Sequence, residues 1–373
     1  MDFNLSEEMT SVQQLSQQIL ADFTSVDQLK AIEQQSPHFD AQLWQALADA
    51  GLLGLDIDEP QGGTNIGFYS LTALCEEVGR TVAPIPVISV LVSAAGTLKR
   101  FASAQQKEQW LPGIANGSTL LTAALEEYQN DNPCSPTCTA TAVEGGYSIS
   151  GTKICVSSAQ SCKRILLSAS TGDELLVALV DPQAAGVTLT PQKVTSGEIR
   201  HELKLDKVQI ATAEVIARGG QALEAMAWAQ QATRTALCAM ALGVCDKMMR
   251  ITGQYTSERE QFGRAIATFQ AVSHRVADCF IDVECLRLVT QQAASLIDQG
   301  RPAGEAVTIA KIWCGDVTHR VNQAAQHCHG GTGVDRDYPL HRYSLLARQI
   351  ELTAGNSAQL NGQLGEEICA SYS

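Results

Sequence analysis

The sequence predicts an α+β protein in three successive parts, and three observations carry that reading. Residues 1–120 place apolar positions at helical spacing between turn signals, which predicts an N-terminal helical domain. Residues 121–216 change to short apolar runs bounded by glycine and proline dipeptides, which predicts a middle β-domain, a barrel or a sandwich. Residues 217–373 return to helical spacing almost to the end. At 373 residues the chain also exceeds the roughly 250–300 residues at which a single core stops growing, so several structural layers are expected.

Within the first part, Leu43, Leu47 and Ala50 recur on one helix face, and Gly51 follows where a helix C-terminus takes a left-handed residue. Pro60-Gln61-Gly62-Gly63 reads as a turn, Leu71 to Val78 as a further helix, and Pro112-Gly113 with Asn116-Gly117 as helix breaks. In the second part, Ile165-Leu166-Leu167 and Leu175 to Val180 read as strands between turns at Gly145-Gly146, Gly172-Asp173 and Asp181-Pro182. In the third, Val272, Val276, Phe280 and Val283 make one apolar stripe, while Arg301-Pro302 and Gly330-Gly331 interrupt the helical run.

Forty acidic residues against 26 basic ones give a formal charge of −14, a field that repels polyanions and favours solubility, so nucleic acid is not an expected partner. No window approaches the ~18 apolar residues that cross a bilayer. The acidic start, Met1 to Glu8, lacks the basic and apolar regions of a signal peptide, and no two cysteines form a Cys-x-x-Cys pair. The expectation is a cytoplasmic protein with reduced, mostly buried thiols.

Several chemistries are excluded by missing motifs. No Gly-x-Gly-x-x-Gly opens a helix and no Gly-x-Ser-x-Gly elbow occurs. Gly146 to Gly151 followed by Thr152-Lys153 has the glycine spacing of a phosphate loop, but the lysine comes one residue late among predicted strands, so a β-turn is expected. His327-Cys328-His329, with His319 nearby, does not suit a metal, because residues two apart do not share a helix face.

Other stretches, in order across nearly the whole chain, resemble the acyl-CoA dehydrogenase family. They are Gly51-Leu52-Leu53-Gly54-Leu55 with Pro60-Gln61-Gly62-Gly63, Glu76-Glu77-Val78-Gly79-Arg80, Gln106 to Pro112, and Gly151-Thr152-Lys153. The most specific follow: Arg259-Glu260-Gln261-Phe262-Gly263, Phe269-Gln270, His329-Gly330-Gly331-Thr332-Gly333, and Asp337 to Tyr343. The resemblance implies N-terminal helices, a middle β-barrel domain and a C-terminal four-helix bundle. It also implies FAD-dependent α,β-dehydrogenation of an acyl-CoA thioester, with electron-transfer flavoprotein as acceptor. In that chemistry a glutamate takes the α-proton while hydride leaves for the flavin.

What the resemblance implies for individual residues is asymmetric. The family's base lies in a Glu-Gly-Thr-like stretch that reads Ala354-Gly355-Asn356 here, and the alternative position on an earlier helix reads Ala232-Thr233-Arg234-Thr235. Glu351 and Glu224 are the nearest substitutes by sequence. The usual Thr-Glu-Pro-Gly-x-Gly-Ser-Asp-like flavin loop is replaced by Leu125 to Asn132, and Cys155 stands in place of a flavin-covering aromatic, leaving Ser157 as a hydroxyl for the ring. By contrast Arg259, Gln261, Phe262, Gly263, Gln270, Gly330 and Gly331 match segments that reach a neighbouring subunit's FAD. His327 takes the usual glutamine position there, with Gln326 displaced by one. This pattern resembles the subunit lacking the catalytic glutamate in heteromeric, steroid-CoA type assemblies. The alternatives are a homotetramer with a relocated base, a flavin monooxygenase on the same fold, and a structural protein without cofactor.

Overall fold

The computed structural model describes residues 7–35 and 38–371; the stretch Met1 to Ser6 lies outside them. Six α-helices come first among the described residues: α1 (Glu7–Phe23), α2 (Val26–Glu33), α3 (Ala41–Asp49), α4 (Phe68–Thr81), α5 (Thr97–Phe101) and α6 (Ala104–Ala115). The Asp40 carboxylate caps α3 by accepting from the Gln42 and Leu43 amides, the helix buries Leu43, Trp44 and Leu47, and Gly51 follows at φ +75°. One expected break is corrected: Pro112 sits inside α6, which continues to Ala115. Proline lacks only its own N–H, and its carbonyl still accepts from Asn116, so the helix ends at Asn116-Gly117 instead.

Eight strands follow: β1 (Leu121–Ala124), β2 (Thr139–Val143), β3 (Gly146–Ser157), β4 (Arg164–Ser170), β5 (Leu175–Val180), β6 (Val187–Lys193), β7 (Ile199–Ala211) and β8 (Val215–Arg218). They form one mixed sheet in the order β6-β7-β3-β2-β4-β5-β8, with β1 parallel to β4. Its core gathers Ile149, Ile165, Leu167, Leu176, Leu203, Leu205 and Val208. The glycine-spaced stretch Gly146 to Gly151 is not a turn but the first half of β3, with a register shift between Ile149 and Gly151. A bulge accommodates a glycine without ending the strand.

The C-terminal helical bundle contains α7 (Gly219–Glu258), α8 (Gln270–Asp298), α9 (Gly304–His329), α10 (Leu340–Leu352) and α11 (Ser357–Ser371). A two-stranded hairpin, β9 (Glu260–Gln261) and β10 (Arg264–Ala265), joins α7 to α8. On α8 the expected apolar stripe is not the core seam, because Phe280 is more than half exposed. The buried seam is Cys279, Val283, Leu286, Thr290, Ala293 and Ile297, at spacings of four and three. Small and ambivalent residues make that seam, which hides it from an apolar count.

The described chain divides into two compact units, one of Ile32–Leu71 with Pro84–Thr233, the other of Met1–Ala31, Thr72–Ala83 and Arg234–Ser373. The first holds the sheet. In the second, α4 crosses α7 at backbone contact: a Cβ on Gly79 would lie 2.1 Å from the Met240 carbonyl oxygen, and one on Gly243 would lie 1.8 Å from that of Glu76. Arg80 fastens the crossing, pairing with Glu76, Glu77 and Asp246 and accepting from the Tyr343 hydroxyl at its carbonyl. No helix among the described residues is long and apolar enough to cross a membrane.

Candidate functional site

Three places carry the sequence-predicted residues. The first is the turn after α10. Ala354 takes a left-handed conformation at φ +59°, and its carbonyl accepts from Arg234 Nε at 2.9 Å. Lys311, fully buried on α9, donates Nζ to the carbonyls of Ile350 (3.0 Å) and Glu351 (3.3 Å), where the end of a helix favours a cation. Ser357 Oγ donates to the Ile312 carbonyl on the far side of the turn. The backbone is thus held by two buried cations, yet the side chain it presents is a methyl group, which cannot accept a proton.

Of the two substitute carboxylates, Glu351 is engaged and Glu224 is exposed. Glu351 pairs with Arg348 at 2.5 Å and approaches His319 Nδ1 at 3.3 Å, while Gln323 meets the other nitrogen of that ring. Glu224 is exposed near the start of α7, in the unit that holds the sheet rather than the one that holds Ala354.

The second place is the end of β3. A register shift between Lys153 and Val156 puts Cys155 at φ +55°, and Ser158 also lies at φ +55°. The Cys155 amide donates to Gln192 Oε1 at 2.9 Å, and the Ser157 hydroxyl donates to Glu198 Oε1 at 2.5 Å. Arg200 Nε donates to the other oxygen of Glu198 at 3.0 Å. Burial, then the negative charge of Glu126, pushes the Cys155 thiol up. The neighbouring loop folds around Glu127, which pairs with fully buried Lys153 at 2.8 Å and accepts from the Thr137 amide and hydroxyl. Burial alone would raise the Glu127 pKa, but the Lys153 and Thr137 hydrogen bonds outweigh it and bring the carboxyl down to about 2. Tyr128 donates to Glu202. The Cys155 amide and the Ser157 hydroxyl are therefore engaged by this chain's own Gln192 and Glu198.

The third place is one end of the bundle, where the structure brings together the segments around Arg259 and Gly330. Tyr255, four residues before Arg259, stacks on His329 with ring centroids 4.3 Å apart. His329 directly precedes Gly330; it donates Nδ1–H to the Ala325 carbonyl at 2.8 Å and accepts from the Tyr338 hydroxyl at 3.1 Å. Burial lowers its pKa, which keeps the ring neutral. The hairpin between β9 and β10 turns at Phe262 (φ +56°) and Gly263 (φ +76°), two positive φ values in a two-residue loop. Phe262 is 94% exposed, an unusual combination of strain and solvent contact for a bulky apolar residue. Arg264 lies over the Phe269 ring at 4.1 Å.

Arg259, Gln261, Phe262, Gly263, Gln270, His327, Gly330 and Gly331 lie here, exposed or partly so. Arg259 forms no ion pair with any described residue. Gly330 has φ +57° and ψ −135°, a conformation nearly reserved for glycine. Gly331 has no such need, and a Cβ on it would meet nothing within 4 Å of this chain. The displaced Gln326 turns inward, donating to the Gly333 carbonyl at 3.1 Å and to Ser344 Oγ at 2.6 Å, so the outward position belongs to His327. These groups, an exposed guanidinium beside uncovered backbone, fit the pyrophosphate and adenosine end of a dinucleotide. Sequence reasoning missed Lys311, whose only signal is one lysine in an apolar helix stripe, and the Tyr255–His329–Tyr338 cluster, whose members are far apart in the chain.

The chain is similar to known proteins along nearly its whole length. Residues 6–118 match the description "Acyl-CoA dehydrogenase, N-terminal domain", and residues 220–368 match "Acyl-CoA dehydrogenase, C-terminal domain". The acyl-CoA dehydrogenase FadE27 of Mycobacterium tuberculosis is 31% identical, over 99% of both chains. Among solved structures, a chain of a Tcur3481-Tcur3483 steroid ACAD variant is 39% identical at a TM-score of 0.92, covering 98% of this chain and 99% of that one. A chain of the ChsE4-ChsE5 complex from Mycobacterium tuberculosis is 31% identical at a TM-score of 0.93, over 99% of both.

Proposed function

Because the chain belongs to the acyl-CoA dehydrogenase family of oxidoreductases acting on CH–CH bonds, we propose that it completes the FAD site of a glutamate-bearing partner subunit. The assembly α,β-dehydrogenates an acyl-CoA thioester and passes electrons to an electron-transfer flavoprotein. The observation that carries this reading is the bundle end: exposed Arg259 and uncovered Gly331, beside a strained hairpin that points Phe262 at solvent. Bound FAD supplies the hydride acceptor. This chain contributes Arg259 to its phosphates, the backbone at Gly330 and Gly331 to close approach, and Gln261, Phe262, Gln270 and His327 to the surrounding wall. It contributes no proton acceptor, since Ala354 carries a methyl group and Glu351 is held by Arg348. Two similar structures, the steroid ACAD variant and the two-protein ChsE4-ChsE5 complex, support a steroid CoA thioester and a heteromer.

The test is flavin stoichiometry. Expressed alone, the chain carries far less than one FAD per subunit and does not oxidise acyl-CoA. Co-expressed with a glutamate-bearing relative, it purifies yellow, with about one FAD per pair, and FAD raises the stability of the assembly by mass action. A lone chain that purifies with one FAD and bleaches on adding acyl-CoA overturns the proposal.

A further inference from the structure

At the bundle end, the segments carrying Arg259 and Gly330 are joined by rings. Tyr255 lies near the end of α7, and its carbonyl accepts the Arg259 amide at 2.8 Å, so Tyr255 fixes where the Arg259 backbone leaves the helix. His329 is the last residue of α9 and passes directly into Gly330. The Tyr255 and His329 rings stack with centroids 4.3 Å apart and 25° between their planes. Tyr338 closes the cluster from the side, 5.2 Å from His329 and 6.3 Å from Tyr255. Flat, rigid groups thus tie one helix end to the other.

The imidazole has one arrangement that satisfies both nitrogens. A carbonyl can only accept, so Nδ1 carries the proton donated to Ala325 at 2.8 Å, and Nε2 accepts from the Tyr338 hydroxyl at 3.1 Å. These bonds fix the ring against rotation, and His329 is only 3% exposed. Tyr338 is held in turn: its amide donates to the Asp335 carbonyl at 3.2 Å, and its carbonyl accepts from His341 Nδ1 at 2.8 Å. None of the three rings is among the groups assigned to the cofactor, yet Tyr255 and His329 hold the backbone that carries those groups.

We propose that Tyr255, His329 and Tyr338 are positioning residues: their cluster sets the separation between the Arg259 guanidinium and the Gly330-Gly331 backbone, so that both meet one pyrophosphate. This role rests on the reading that those groups serve a partner's FAD. A charge-assisted pair to phosphate needs its donor within ~0.5 Å of the productive place, which a side chain on an unanchored helix end does not keep.

The experiment titrates FAD into the apo-assembly formed with a glutamate-bearing relative, as a double-mutant cycle. Tyr255→Leu keeps an apolar helix residue but removes the stack, and should weaken FAD binding roughly tenfold. Tyr255→Phe keeps the ring and should bind FAD as the wild type does. In an Arg259→Ala background, Tyr255→Leu should cost less than about threefold, because the separation no longer matters once one of its ends is gone. Tyr338→Phe, which deletes a single oxygen, runs through the same cycle with the same expected dependence on Arg259, so failure of the leucine variant to fold still leaves a result. An equal loss in both backgrounds overturns the proposal, since a merely structural defect adds to Arg259→Ala. Unchanged affinity in Tyr255→Leu overturns it too, as does a loss in Tyr255→Phe as large as that in Tyr255→Leu. If Arg259→Ala alone leaves the affinity unchanged, the FAD-site reading fails and the positioning role with it. If Arg259→Ala weakens binding but the cycle is additive, the site reading stands and only the positioning role falls.

Discussion

At the turn after α10 the backbone is held and the head group is missing; beside β3 the side chains are present and bonded to one another. Lys311 and Arg234 keep the 350–354 carbonyls in place although Ala354 has nothing to offer a substrate. Around β3, Glu127 is locked to Lys153, Ser157 to Glu198, and the Cys155 amide to Gln192. One place is therefore held through its backbone, and the other through its side chains. The difference teaches that the turn around Ala354 is held through its backbone, because a buried lysine cannot be left without its carbonyl partners. Around β3, by contrast, the donors are satisfied by the chain's own side chains.

The largest effect expected on this comparison comes from Lys153→Ala. It strands Glu127 in the interior of the sheet unit and should cost about 3–5 kcal/mol in urea unfolding. A loss below about 1 kcal/mol would mean that the loop is held by something other than this pair. The same pair sets an acid limit. Glu127 has its folded pKa depressed from 4.5 to about 2, so its contribution is complete above 4.5 and lost as pH falls toward 2. Stability of the wild-type chain should drop through that window, and Lys153→Ala should flatten this part of the profile.

Next in size is Arg259→Ala at the bundle end. FAD affinity of the assembled enzyme should fall roughly ten- to a hundredfold, about 1.5–3 kcal/mol. Unfolding of the isolated chain should not change, since Arg259 has no ion-pair partner among the described residues. Titration of the apo-assembly with FAD reads the first effect and urea unfolding the second. An unchanged affinity would remove Arg259 from the cofactor's reach.

The sequence made the α–β–α order legible because its signals are local: helix stops such as Gly51, and apolar strands such as Leu175 to Val180. It also showed the alanine at position 354, which is visible without coordinates. What stayed hidden depends on non-local pairing. The α8 seam runs through Cys279, Thr290 and Ala293, residues that no apolar stripe would pick out. Glu198 and Arg200 read as ordinary strand charges until β7 lies against β3 and places them on Ser157. Lys311 looks like a solvated helix residue until α10 ends over it.

The smallest effect concerns Ala354 itself. An L-residue held at φ +59° carries a steric penalty of roughly 1–2 kcal/mol that glycine escapes. Glycine loses about 0.5–1 kcal/mol more backbone freedom on folding, which offsets part of the gain. Ala354→Gly should therefore stabilise the turn by a net of about 0.5–1 kcal/mol. Arg234 bonds the carbonyl, not the side chain, so that contact survives the change. Slower hydrogen exchange of the Thr353 amide, which donates to Gln349 at 3.0 Å, would report the gain locally without relying on a two-state transition of the whole chain. Ala354→Val should act in the opposite direction, because a β-branched residue suits the left-handed region least. If glycine instead loosens the turn, the methyl group makes packing contacts that hold it in place. The geometry would then belong to alanine, not to a glutamate scaffold kept after its carboxylate was lost.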